Sequence, residues 1–479
     1  MSEIRSALAP APVVRPHMSL GIVVAMSCLA QFMVVLDSTI VTVALPAVGA
    51  DLHLSTNQQQ WVVTGYLVSL GGFLLLAARA SDLVGRKPVF LFGTVVFTAA
   101  SLVGGLATGP TTLLIARIVQ GIGAAALAPS SLSLITASHT DDHRRHKALA
   151  LWSVMGGSAS AIGVVLGGVL TAEWSWRWVF FINIPLGLGL FVAASLSLLP
   201  APGMGDRDAL DVPGALCITL GMGALVYGLS QVSPDGWGSV NVIVSLIIAA
   251  ALTSAFVVVE ATAARPLIPL ALFRARSLCV GNLLMGCLGV TMTATLFFLS
   301  LYLQDALGYS ALRTGLALLP MTIILVVGGL ASRKLIPMVG PRLPLVVGAL
   351  ITTAGLTWLA WLPDQSAYLA NVLGPTLVAG AGLSLMLLSV TLAATTGVDP
   401  KDAGAASGLL NTARQLGGAI GLAVLVTVAA GVTRHDSGHA SHLDALVHGY
   451  RAAIVVIAAV TLAAALAACA LPRPRVVVA

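Results

Sequence analysis

The sequence predicts an all-α polytopic membrane protein, and three observations predict it. Of the 479 residues, 58% are hydrophobic and 9% are charged, whereas a soluble chain carries about 25% charged residues because its surface must face water. The mean hydropathy is +0.98. The apolar residues form long unbroken runs, which select helices over the alternating strands of roughly ten residues that build the other closed membrane architecture. The 49 glycines suit helices that pack closely without water to drive them together.

Taken as runs of about 20 apolar residues, the spans number fourteen, near 18–46, 59–78, 88–108, 110–137, 147–171, 177–199, 211–231, 240–260, 278–304, 313–332, 343–362, 366–396, 404–432 and 450–471. Residues 1–17, with Arg5 and Arg15, read as a short cytoplasmic tail. They do not read as the front of a cleavable signal, because the run from Met18 is too long for an h-region and many similar runs follow. Residues 472–479 form the second tail. An even number of spans puts both tails on one side, and the placement of Lys and Arg says which. With the termini inside, eighteen of the 24 basic residues are inside, Arg177, Arg313, Arg434 and Arg451 are outside, and Arg117 and Arg414 lie within spans. Both termini are therefore expected in the cytoplasm.

The net charge of +6 then reports topology and not nucleic-acid binding. Cys28, Cys217, Cys279, Cys287 and Cys469 all fall inside apolar runs without a CxxC pair, so they read as packing residues rather than disulfide or metal ligands. His139, His143 and His146, and likewise His435, His439 and His442, have a metal-like spacing. Arg144, Arg145 and Lys147 oppose a cation beside the first set, and both sets read as solvated loops. Trp174, Trp176, Trp178 and Trp237 lie near predicted outer interfaces, where aromatic residues collect. Trp61 lies there too, and it and Tyr66 are also candidates to line a cavity. No phosphate-binding loop, triad or cofactor fingerprint is found.

Two pairs of spans echo one another. Gly121-Ile122-Gly123 in the fourth recurs as Gly380-Ala381-Gly382 in the twelfth, and Ala161-Ile162-Gly163 in the fifth recurs as Ala419-Ile420-Gly421 in the thirteenth. The offsets, 259 and 258, agree to within one residue and map each span onto the one eight later. The division that follows is a six-helix bundle over 18–199, two inserted helices with their linkers over 200–277, and a second six-helix bundle over 278–471. Repeated halves meeting at a central site are the plan of secondary transporters.

Two charges stand deep in spans. Asp37 is nine residues before Pro46, about 13 Å from that end and too far for a short carboxylate to snorkel. Arg117 is seven residues past Pro110, about 10 Å below the same surface. Similar depth predicts one electrostatic unit, either a functional pair or a static tie between two helices. Arg414 has no evident acidic partner; it either lines a water-filled cavity or bonds carbonyls of a neighbouring helix.

Several segments together resemble the fourteen-span drug:proton antiporters of the major facilitator superfamily. They are Leu36-Asp37-Ser38-Thr39-Ile40-Val41-Thr42-Val43-Ala44-Leu45-Pro46, Asp82-Leu83-Val84-Gly85-Arg86-Lys87 and Arg117-Ile118-Val119-Gln120-Gly121-Ile122-Gly123. Further along come Trp176-Arg177-Trp178-Val179-Phe180-Phe181-Ile182-Asn183-Ile184-Pro185, Leu303-Gln304-Asp305-Ala306-Leu307-Gly308, and Leu409-Leu410-Asn411-Thr412-Ala413-Arg414-Gln415. The resemblance implies a major-facilitator-type fold of two six-helix bundles plus two inserted helices. It implies that Asp37 carries the proton and that Arg117 sets how readily it does so. Asp82, Gly85 and Arg86 would form a gating latch on the cytoplasmic side. Gln120, Gly121, Gly163, Gly167 and Gly168 would belong to the packing and antiporter motifs, ordinary small-residue packing being the plainer reading of the glycines. Asn183, Asn411 and Arg414 would line the cavity with Trp61 and Tyr66. Ala78, Ala80 and Leu83 depart from the loop motif, and Val164 stands where a Pro commonly follows the glycine.

The expected function is proton-coupled efflux of small amphipathic molecules (drugs, antibiotics or natural products), neutral or anionic because the deep charges are one Asp and two Arg. The alternative is a symporter or lipid flippase on the same scaffold. No enzyme activity, metal or cofactor is expected, the proton gradient being the energy source. The partners would be substrate, protons and lipid, with the protein acting as a monomer. Low lysine and high alanine, glycine and arginine point to a bacterial cytoplasmic membrane.

Overall fold

The computed structural model describes residues 20–471 apart from 139–140, 199–209, 264–265, 269, 362–367, 397, 400–401 and 438–440. Both expected tails lie outside the described residues, with Arg5, Arg15, Arg473 and Arg475. So do His139, Arg207, Arg265, Lys401 and His439.

The described chain is helical: α1 (Leu20–Asp51), α2 (Thr56–Leu83), α3 (Arg86–Gly105), α4 (Pro110–Ser138), α5 (Asp142–Glu173), α6 (Trp178–Phe181), α7 (Asn183–Ser197), α8 (Val212–Asp235), α9 (Val240–Thr262), α10 (Arg276–Leu301), α11 (Ala311–Val339), α12 (Arg342–Ala360), α13 (Leu373–Thr395), α14 (Ala403–Asp436) and α15 (His442–Ala468). The short α6 and α7 make one span, so fourteen stretches are long and apolar enough to cross a membrane. We call the end at which α1 begins the proximal face and the end at Asp51 the distal face.

Three expected boundaries move. Helix α1 runs through Pro46 to Asp51, because one missing N–H is tolerated where neighbouring helices surround it. Asp37 is therefore about 21 Å, not 13 Å, from its helix end. Helix α5 begins at Asp142 under the Asp141 side chain, which accepts from the Arg144 N–H at 2.9 Å. His143 and His146 thus stand in its first turns rather than in a loop. Helix α15 begins at His442 instead of 450, where the Ser441 hydroxyl accepts from the Asp444 N–H, so His442 too is helical.

The internal repeat is visible in how the glycines pack. A Cβ at Gly123 would strike Phe97 of α3, and one at Gly382 would strike Thr352 of α12, the equivalent neighbour eight spans on. Gly121 presses on Tyr66 of α2 and Gly380 on Met321 and Ile324 of α11, while Gly163 meets Thr39 of α1 and Gly421 meets Val290 of α10. The seams between the first six spans and the last six run along α5–α11 and α2–α14. Helix α8 packs on α9 and also on α2 and α14. There the Trp61 indole donates to the Ser230 hydroxyl at 3.2 Å, and the Thr427 hydroxyl donates to the Leu229 carbonyl at 2.9 Å.

Candidate functional site

Asp37 and Arg117, both essentially without solvent exposure, meet inside the first six spans. The Arg117 Nη1 donates to Asp37 Oδ2 at 2.6 Å. The other carboxylate oxygen accepts from Gln120 Nε2 at 2.7 Å and from Asn183 Nδ2 at 3.0 Å. Helices α1, α4 and α7 supply these groups, and α2 and α3 support them. Arg117 Nη1 also donates to Gln120 Oε1, one turn along α4, and its Nε donates to the Val62 carbonyl of α2 at 2.9 Å. Gln120 Nε2 is shared with the Ser101 hydroxyl of α3 at 2.9 Å. The guanidinium lies 4.3 Å from the centre of the Tyr66 ring, a cation–π contact whose strength grows with desolvation.

This satisfies a buried ion pair about as well as neutral side chains can. Removing either ion from water costs several kcal/mol, and excellent geometry with further hydrogen bonds is needed to repay it. Gln120 and Asn183 both donate to the carboxylate, and each also carries an amide oxygen that could accept from a protonated Asp37. The Asn183 amide oxygen is buried without a partner.

The expected pairing of Asp37 with Arg117 therefore holds, but the surrounding residues are differently placed. Tyr66 and Asn183, expected in a cavity, are buried in this cluster, and the Tyr66 hydroxyl donates to the Val34 carbonyl at 3.2 Å. Trp61 is turned to α8, where its ring lies tilted against Tyr227. The helices carry apolar residues nearly all round, so their rotation is not readable from periodicity. Asn411 and Arg414 are half-buried on α14 and bond each other, Arg414 Nη2 to Asn411 Oδ1 at 2.9 Å. Among the described residues no carboxylate lies within ion-pair distance of Arg414, and it bonds no neighbouring carbonyl.

The expected latch is rearranged. Gly85 supplies the tight turn with φ 110°, in the region that favours glycine. Arg86 Nε donates to the Ser133 hydroxyl of α4 at 2.6 Å and forms no ion pair with Asp82, which stands exposed. Lys87 donates to the Ser195 and Leu198 carbonyls at the end of α7. At the distal face, Asp51 accepts from Trp176 Nε1 at 2.9 Å and Arg177 Nη1 at 2.8 Å, while Arg177 also reaches the Ala107 carbonyl. The Trp176-Arg177 motif thus staples α1 to the end of α3. Asp51 lies beyond the expected end of the first span, so the sequence gives no signal for its part in this staple.

Of the motif glycines, Gly163 and Gly167 pack on α1, within the same half, and Gly168 packs across the seam, where a Cβ would lie 2.6 Å from the Ala311 carbonyl oxygen of α11. Gly168→Val is expected to lever α5 off α11, lowering transport severalfold while membrane insertion stays normal. Transport at unchanged expression checks this; a variant with wild-type rates would show that the seam is not used.

Fourteen apolar spans, a doubled six-span pattern and a charge cluster sealed within one half are the plan of a membrane transporter. The chain belongs to the Major Facilitator Superfamily, whose family model matches residues 27–422. It is 41% identical over 444 residues to the cephamycin export protein CmcT of Amycolatopsis lactamdurans, covering 91% of this chain and 90% of that one. It is 37% identical over 460 residues to the puromycin resistance protein pur8 of Streptomyces alboniger, covering 94% and 90%. A solved mutant of the nucleoside transporter NupG shares the fold, with a TM-score of 0.65 at 12% identity over 94% of this chain and 99% of that one.

Proposed function

We propose that this chain exports small amphipathic molecules, of the antibiotic or natural-product type, from a bacterial cytoplasm in exchange for protons. The likeness to cephamycin export and puromycin resistance proteins supports the substrate class. The proximal face is cytoplasmic in this reading, since Arg86, Lys87, Arg144, Arg145, Lys147 and Arg342 lie there.

The observation that carries the proton coupling is the Asp37 carboxylate, fully buried and held by one cation and two amides. Protonation removes the charge that Arg117 neutralises. Arg117 then keeps Gln120, the Val62 carbonyl and the Tyr66 ring, while α1 loses its strongest tie to α4. Further along α1, the carbonyls of Thr42 and Val43 accept from Ser300 and Gln304 at 3.2 and 3.1 Å. These bonds join the two halves on the distal side. A further bond between the halves, from the Thr412 hydroxyl to the Gly71 carbonyl, lies near mid-depth. Loosening α1 therefore acts on the contacts that close the distal side, and the halves alternate which face is open. Substrate and proton compete by favouring different states of this equilibrium.

The test uses everted vesicles with an imposed pH gradient. Substrate should accumulate inside them against its own gradient and cease to do so with a protonophore. Gradient-driven release from such vesicles would instead assign a symporter.

A further inference from the structure

We propose that Asp211 and Glu260, at the proximal end of the two inserted helices, form a second proton-binding site that holds one proton shared between two carboxyl groups. The site is separate from the Asp37 cluster, and the proposal stands whether or not that cluster couples transport.

The register of α8 and α9 brings the two acids together. The helices run antiparallel on a glycine seam of heptad spacing. A Cβ at Gly228 would meet Ser245 and Leu246, and one at Gly221 would meet Leu252 and Thr253. One further heptad carries the pairing to Gly214 against Glu260. Asp211 caps α8 at that point, its Oδ1 accepting from the Gly214 N–H at 2.8 Å. Its Oδ2 lies over Gly214, in the space a side chain would fill. Glu260 Oε2 accepts from the Ile268 N–H at 3.1 Å, in the linker towards α10.

Each acid thus has one oxygen satisfied by backbone. The others, Asp211 Oδ2 and Glu260 Oε1, are buried with no hydrogen-bond partner, on side chains only 9% and 2% exposed. Two bare carboxylate oxygens cannot stay so at this depth, since an unpaired buried charge is far costlier than a neutral acid. Like-charged carboxyls that share a site resolve the conflict by retaining one proton between them. A metal fits less well, because Ca²⁺ takes six to eight oxygens and Mg²⁺ a full octahedron, against two free here. Asp211 is close enough for its charge to act on Glu260. The charges on the proximal ends of the helices packed on α8 are Arg79 and Asp82 of α2 and Asp402 before α14.

The shared proton would fasten two connections at one point. Asp211 stands where the chain enters the inserted pair from the first six spans, and Glu260 holds the segment by which it leaves for the last six.

The experiment is thermal unfolding of the purified full chain in detergent between pH 6 and 9, in buffers of matched ionic strength. A proton held only by the folded state makes stability fall as pH rises, because the unfolded chain has already released it. Wild type and Asp37→Asn should both show this fall. Asp211→Asn and Glu260→Gln, which keep the backbone bonds but remove the shared proton, should each flatten it. One variant that folds is enough, because its comparison with wild type cancels the other titrating groups. A flat wild-type profile, equal slopes in wild type and both amide variants, or a rise in the wild-type midpoint on adding Na⁺, K⁺, Mg²⁺ or Ca²⁺ would overturn the proposal.

Discussion

Asp37→Asn is expected to abolish uphill, proton-driven export while the protein still inserts and folds, at a stability cost from the unpaired Arg117 cation. Asparagine has nearly the shape of aspartate and mimics its protonated form. Its amide oxygen can accept from Gln120 or Asn183, the two donors that now hold Oδ1. Arg117 keeps three partners, the Gln120 amide oxygen, the Val62 carbonyl and the Tyr66 ring. What disappears is the ability to change charge. Coupling between two ligands of about 1–3 kcal/mol corresponds to a 5–150-fold change in affinity, and this variant should show none between acid and alkaline pH. Exchange of labelled for unlabelled substrate, which needs no net proton movement, should continue. Retained uphill export would mean that the energy enters elsewhere.

Arg117→Met should be strongly destabilising. It leaves Asp37 buried among two amides with no cation, and breaking one side of a buried pair costs about 3–5 kcal/mol. Asp37 escapes part of that cost by taking up a proton, so the variant should behave as permanently protonated. Adding Asp37→Asn removes the stranded charge. The double variant should therefore be more stable than Arg117→Met alone, although it carries one more substitution. Thermal midpoints of the four proteins in the cycle check this; strict additivity would show that the two groups do not form one unit.

The spans and their number are legible because lipid demands long apolar runs, and the repeat is legible because glycines recur wherever backbones touch. Depth counted from Pro46 pairs Asp37 with Arg117, although α1 itself runs on to Asp51. Rotation about the helix axis is not legible. Sequence puts Tyr66 and Asn183 in a cavity for that reason, although both belong to the charge cluster. The same blindness hides Ser101, a serine in no motif that positions Gln120. The resemblance implies a latch between Asp82 and Arg86, whereas Arg86 is held by Ser133 of α4. Helix ends follow local capping rather than hydropathy, so Ser441 and Asp141 extend two helices beyond their apolar cores. The Asp211–Glu260 pair is invisible for a similar reason, since each acid marks the edge of a span and only the glycine register brings them together.

Proton-coupled export requires one acid to change its ionisation behind a wall of helices. The pH-difference infrared spectrum of the reconstituted protein reads that change directly. The predicted result is a carboxyl C=O band that appears on acidification of the wild type and is missing from Asp37→Asn. Identical difference spectra from the two proteins would mean that Asp37 keeps a single charge state, leaving Asp37 and Arg117 as a fixed tie between α1 and α4.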